Sequence, residues 1–184
     1  MPFIKTNLPG LLIFEPVVFE DSRGYFFESY NEERFSKEGI HIKFVQDNQS
    51  RSSYGVIRGL HFQAEPHAQT KLVRVLSGNI LDVVVDIRKG SPSYGKVFCL
   101  ELSAENKKQL LIPKGFAHGF SVLSETAEIL YKCDAFYNKQ SEGGIAYNDP
   151  VLNIDWKIPA DKAIISDKDT QYPTLLNFTN SFVF

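Results

Sequence analysis

The chain has 184 residues, 43% hydrophobic and 13% aromatic, which is enough for one packed domain and excludes a disordered chain. Its formal charge of -2 argues against a nucleic-acid or membrane-surface binder, so an anionic ligand would need a local basic site. Cys99 and Cys133 form no CxxC pair and are expected as reduced thiols. With no signal-peptide pattern and no apolar run of about 20 residues, the expected location is the cytoplasm.

In chain order, "GYFFESY" (24–30) reads as an early strand. "NEERFSKEG" predicts a short helix: Asn31 can cap it, Glu32 and Glu33 suit its first turn, and Gly39 can end it. In "QDN", Gln46 and Asn48 are two apart on a strand and face the same side. "VIRGLHFQ" (56–63) sets Arg58, His61 and Gln63 among strand-forming residues. Ideal alternation would point Arg58 away from His61, and a bulge at Gly59 could re-aim one of them.

"KLVRVLSGNI" bends at "SGN", a hairpin signal. "LDVVVDIR" alternates Leu81, Val83, Val85 and Ile87 with Asp82, Val84, Asp86 and Arg88, a half-buried strand. "GKVFCLELS" and "KQLLIPKG" flank "AEN", a second hairpin candidate, and "FSVLSETAEILYKCDAFYN" reads as two strands around "SET". Tyr131 and Tyr137, six apart, would share a strand face. "DKAIISDKDTQYPTLLNF" predicts a loop-rich C-terminal arm lying back on the body. Many short strands without strand–helix alternation predict an all-β antiparallel sandwich or barrel, a jelly roll, as a single domain over residues 1–184.

"IPKGFAHGF" carries a Pro-x-Gly-x-x-His pattern that resembles the second motif of cupins, which are small jelly-roll barrels. Metal-binding cupins add two histidines and a glutamate from an earlier strand. Here that strand offers His61 but places Gln63 at the second position, a poor ligand for zinc or iron. Glu65 and His67 lie nearby, but the pattern favours a barrel site without metal.

Seven collinear segments resemble the dTDP-4-dehydrorhamnose 3,5-epimerase family: "FEDSRGYFFESY", "VQDNQSRSSYGVIRGLHFQ", "TKLVRVLSGNILDVVVDIRKGSPSYG", "LLIPKGFAHGF", "LYKCDAFYN", "SEGGIAYNDP" and "SDKDTQYP". The resemblance implies a cupin-type jelly-roll barrel without a metal or cofactor, usually a homodimer, acting on dTDP-4-dehydro-6-deoxy-glucose. It implies His61 as the base that removes protons at C3 and C5, both α to the C4 ketone. An imidazole with a pKa near ~6.5 suits that role. A carboxylate of "SDKD" would orient it, Asp169 by position, with Asp167 as the alternative.

By the same resemblance Arg23 and Arg58 bind the diphosphate, which an arginine fork pairs with bidentately. Gln46 and Asn48 contact the nucleotide, and Glu28 the nucleoside, with Phe26 as a wall. Lys71 sits at the enolate, while His118, Glu142 and Lys168 bind substrate. Tyr131 is the proton donor opposite the base, and Tyr137 stacks on thymine. In the family the N-terminal strand can serve the neighbouring subunit's site. A C3-only epimerase of the same substrate, or a non-catalytic sugar-binding cupin, would use much of the same residue set.

Overall fold

The computed structural model describes residues 3–179 and 182–184. The strands, in chain order, are β1 (Phe3–Lys5), β2 (Leu12–Phe14), β3 (Phe19–Asp21) and β4 (Gly24–Phe26), then, after helix α1 (Glu32–Lys37), β5 (Gln46–Ser53), β6 (Ile57–Gln63), β7 (Lys71–Ser77) and β8 (Asn79–Asp86). They continue with β9 (Val97–Ser103), β10 (Gln109–Ile112), β11 (Phe116–Val122), β12 (Thr126–Cys133) and β13 (Glu142–Gly144). α1 begins as expected: the Asn31 side chain accepts the Arg34 N–H, and Gly39, at φ +79°, donates to Ser36 after the last turn. The expected strand at 24–30 is shorter, because β4 stops at Phe26.

A six-stranded sheet runs β1-β2-β10-β7-β12-β5 and a five-stranded sheet runs β13-β6-β11-β8-β9. The two face each other as a jelly-roll sandwich; among the described residues their ladders do not join into a closed barrel. The three expected hairpins are sheet-to-sheet corners. β7 and β8, β9 and β10, and β11 and β12 are consecutive in sequence, yet the members of each pair lie in opposite sheets. A chain reversal needs the same turn residues whether the next strand pairs with the last or crosses to the facing sheet. Gly78 shows the constraint at one corner: at φ +74°, an added Cβ would lie 2.1 Å from the Thr126 carbonyl oxygen.

Leu110, Val73, Ile129 and Val84 are among the side chains that fill the space between the sheets. The outer face of the five-stranded sheet is also covered. Leu81, Val83, Val85 and Ile87 pack there against Leu152, Trp156, Leu175 and Phe182 of the C-terminal arm. "LDVVVDIR" is therefore buried on both faces instead of half-buried. Its inward carboxylates are tolerated because each is fully partnered: Asp86 accepts from Arg88, Ser91 and Ser93, and Asp82 meets His118. Cys99 is exposed and Cys133 buried, both free thiols. No helix among the described residues is long and apolar enough to cross a membrane.

Candidate active site

The site opens at one mouth of the sandwich, where β5, β7 and β12 face β6, β11 and β13. β6 is the strand that departs from alternation. His61 pairs with His118 of β11, while Arg58, three residues earlier, pairs with Phe120, only two residues later. The extra residue is a bulge, as expected at Gly59. Gly59 sits at φ +127°, and a Cβ there would lie 2.5 Å from the Gly119 Cα. The bulge turns Arg58 and His61 toward one cavity of about 140 Å³, which Lys71, His118 and Tyr131 also line.

His61 Nε2 lies 2.7 Å from Asp169 Oδ1, and that carboxylate is buried (side chain 4% exposed). Asp169 Oδ2 accepts the Gly59 N–H at 3.1 Å. Asp167 is exposed and takes no part. Burial by itself would raise the Asp169 carboxyl, but hydrogen bonds from His61 and Gly59 hold it below its ordinary value. A carboxylate can only accept, so Nε2 carries the hydrogen and Nδ1 is the free, basic nitrogen. A second pair lies alongside: His118 Nε2 is 2.9 Å from Asp82 Oδ2, both buried.

On the opposite wall, β12 and β7 set Cys133 across from Lys71, whose Nζ lies 6.0 Å from the Tyr131 ring centroid. Burial pulls the Lys71 ammonium below the usual lysine value and pushes the Tyr131 phenol above the usual tyrosine value. Gln46 and Asn48 face the same side of β5, as expected, and border an adjoining cleft of about 330 Å³. β12 ends at Cys133, so Tyr137 lies on a loop and not on Tyr131's strand face. It reaches the same cleft, where its hydroxyl donates to Glu142 Oε2 at 3.1 Å. Burial raises the Glu142 carboxyl, but Lys168, at 2.5 Å, and Tyr137 leave it lowered overall.

Nine sequence-predicted residues thus converge directly, with Asp169 held through His61 and Lys168 through Glu142. Arg23, Phe26 and Glu28 stand apart. Arg23 pairs with Asp21 on the β3–β4 hairpin with its side chain 87% exposed, and Glu28 pairs with Arg34 at 2.8 Å. The sequence reading missed Asp82, which looks like one polar residue of an amphipathic strand, and Gln69, which lines the cleft. It also missed what Gln63 does. Its amide donates to the His67 carbonyl and accepts the Asn138 N–H, tying the loop after β12 to β6.

The family model described as dTDP-4-dehydrorhamnose 3,5-epimerase matches residues 5–177. A protein of that name from Shigella flexneri is 55% identical over 170 residues, covering 92% of this chain and 93% of its own. The crystal structure of one from Elizabethkingia anophelis is 56% identical with a TM-score of 0.91, covering 95% of this chain and 96% of its own. A Legionella pneumophila enzyme, in complex with dTDP-4-keto-L-rhamnose, is 47% identical with a TM-score of 0.92, covering 97% and 94%. Matches of this identity over nearly the whole length show that the chain belongs to the dTDP-4-dehydrorhamnose 3,5-epimerase family.

Proposed function

We propose that this protein inverts C3 and C5 of dTDP-4-dehydro-6-deoxy-glucose, through an enolate and without a metal. The observation that carries this reading is the His61–Asp169 pair facing Tyr131 across one cavity. His61 Nδ1 takes the proton from C3 or C5, and the C–H electron pair becomes the enolate of the C4 ketone. Asp169 stabilises the imidazolium so formed. The Lys71 cation, partly desolvated, offsets the charge on the C4 oxygen. Tyr131 then gives its proton to the opposite face of the same carbon, and exchange with water restores both side chains. The phenol's raised pKa keeps it protonated until that step.

Arg58 would hold the diphosphate, Tyr137 would stack on thymine, and Gln46, His118, Glu142 and Lys168 would complete the binding surface. The metal-free reading is supported by Gln63, whose amide is committed to backbone partners, and by His118, committed to Asp82. A homodimer would give the β3–β4 hairpin its purpose. The hairpin exposes Phe19, Tyr25 and Phe26, at 63%, 59% and 69%, and Arg23 with them, a set suited to completing a second copy's site together with Glu28. Free thiols suit the reducing cytoplasm.

The test is NMR of dTDP-4-dehydro-6-deoxy-glucose with the purified protein in deuterated water. Deuterium and inversion at both C3 and C5 are expected. Inversion at C3 alone would make it a mono-epimerase, and no exchange at either carbon would overturn the reading.

A further inference from the structure

The proton donor has a neighbour whose orientation is dictated from outside the site. Asn48 of β5 lies directly across from Tyr131 of β12, and Gln46 directly across from Cys133. The backbone N–H of Tyr137 donates to Gln46 Oε1 at 3.0 Å. A backbone N–H can only donate, so Gln46 must turn its NH₂ the other way. That NH₂ donates to Asn48 Oδ1 at 2.9 Å. With its oxygen so occupied, Asn48 turns its own NH₂ toward the β12 side, where one N–H meets Cys133 Sγ at 3.7 Å. From its place directly across the ladder, the Asn48 amide also pulls the Tyr131 phenol toward ionisation, against the effect of its burial. No link in this chain can be reversed without leaving two donors facing each other.

We propose that Asn48, held by Gln46 and Cys133, is a positioning residue for Tyr131: its N–H stabilises the oxyanion left on the phenol when the proton passes to the sugar carbon. The inference rests on Tyr131 being the acid. In that step the Tyr131 O–H bond breaks, a C–H bond forms from the enolate electron pair, and a phenolate remains on the protein. Burial disfavours that phenolate. Arg58 from β6 and Asn48 from β5 act in its favour, while Glu142 from β13 and Cys133 of β12 act against it. Lys71 of β7 stands over the ring. Among these, Asn48 is the amide whose NH₂ is turned toward β12 from directly across the ladder. A weaker donor leaves the enolate waiting, and His61 then returns the proton to the face it came from.

The experiment measures deuterium incorporation against inverted product, with kcat and KM, for dTDP-4-dehydro-6-deoxy-glucose in deuterated water. Asn48→Asp keeps the shape and removes both donors. Inversion should fall about tenfold or more relative to exchange, as expected for a lost hydrogen bond to a charged group, whatever KM does through the nucleotide contact. Cys133→Val should shift the ratio the same way but less, and Cys133→Ser, which restores an acceptor, should recover most of that loss. A raised KM with the wild-type ratio would overturn the inference and make Asn48 a nucleotide contact alone. If Asn48→Asp does not fold, equal ratios in the two Cys133 variants would overturn it. Tyr131→Phe is run alongside. Full inversion there defeats the acid assignment itself, whereas uncoupling there but not in Asn48→Asp defeats only the role given to Asn48.

Discussion

Asp169→Asn removes one charge and almost no volume. The carboxylate makes two contacts, Oδ1 to His61 Nε2 at 2.7 Å and Oδ2 from the Gly59 N–H at 3.1 Å. A hydrogen bond to a charged group is worth about 1.5–3 kcal/mol. At about 1.36 kcal/mol per decade, its loss slows proton removal about 10- to 150-fold. Asparagine has one oxygen for two donors, which adds a second effect. If the oxygen stays with Gly59, the NH₂ faces His61, and Nε2 must become the acceptor. The imidazole hydrogen then moves to Nδ1, the nitrogen that should take the substrate proton. If the oxygen turns to His61, the NH₂ opposes the Gly59 N–H. Either way kcat should fall by about 10²-fold or more, toward the full general-base contribution of about 10²–10⁴. Exchange and inversion, followed by NMR in deuterated water, should fall together, because both follow the same proton removal. Asp167→Asn, with its exposed side chain, should stay near wild type. Near-normal exchange in Asp169→Asn, or the reverse ordering of the two variants, would refute this account of the base.

His61→Ala should abolish both deuterium exchange and inversion, and surviving exchange at C3 and C5 would require another base. Arg58→Ala should mainly raise KM, since on the proposed reading it would grip a group unchanged in the reaction, while Lys71→Met should mainly lower kcat; steady-state kinetics separate the two. Overnight treatment with a strong chelator should leave the rate unchanged, and loss of activity restored by one divalent metal would contradict the metal-free mechanism. Asp86 is fully buried and held below the ordinary carboxylate value, because Arg88, Ser91 and Ser93 outweigh the effect of its burial. Its stabilisation is therefore present above the unfolded value near ~3.9 and is lost as pH falls through the lower folded value. Asp86→Ala should cost about 3–5 kcal/mol at neutral pH and lose that excess cost in acid, as read by denaturant melts across pH.

Much of the site was legible because its chemistry sits in short runs. The Arg58–His61 spacing pointed to a bulge at Gly59, and "SDKD" offered only two carboxylates. Burial could not be read the same way. Asp82 alternates with valines as a solvent-facing residue would, and only the six-stranded sheet packed over that face, with His118 beside it on the neighbouring strand, makes it an interior partner. The corners looked like hairpins because turn residues encode reversal and not the destination of the next strand. Tyr137 was assigned to a strand because the alternation continues past Cys133. The Gln63–Asn138 bond, which bends the chain there, joins residues 75 apart in sequence.

The bulge at Gly59 has its counterpart in Gly119: a Cβ on Gly119 would lie 2.6 Å from the Arg58 carbonyl oxygen. Two backbones therefore touch where the two histidine-bearing strands cross, and each glycine is indispensable because of the other. A methyl group on either would wedge β6 from β11 and part His61 from His118, without altering either histidine. Random mutagenesis scored by activity should thus find Gly119 as intolerant as His61, though it has no side chain to contribute. Restoring glycine at one of the two positions would not rescue a substitution at the other.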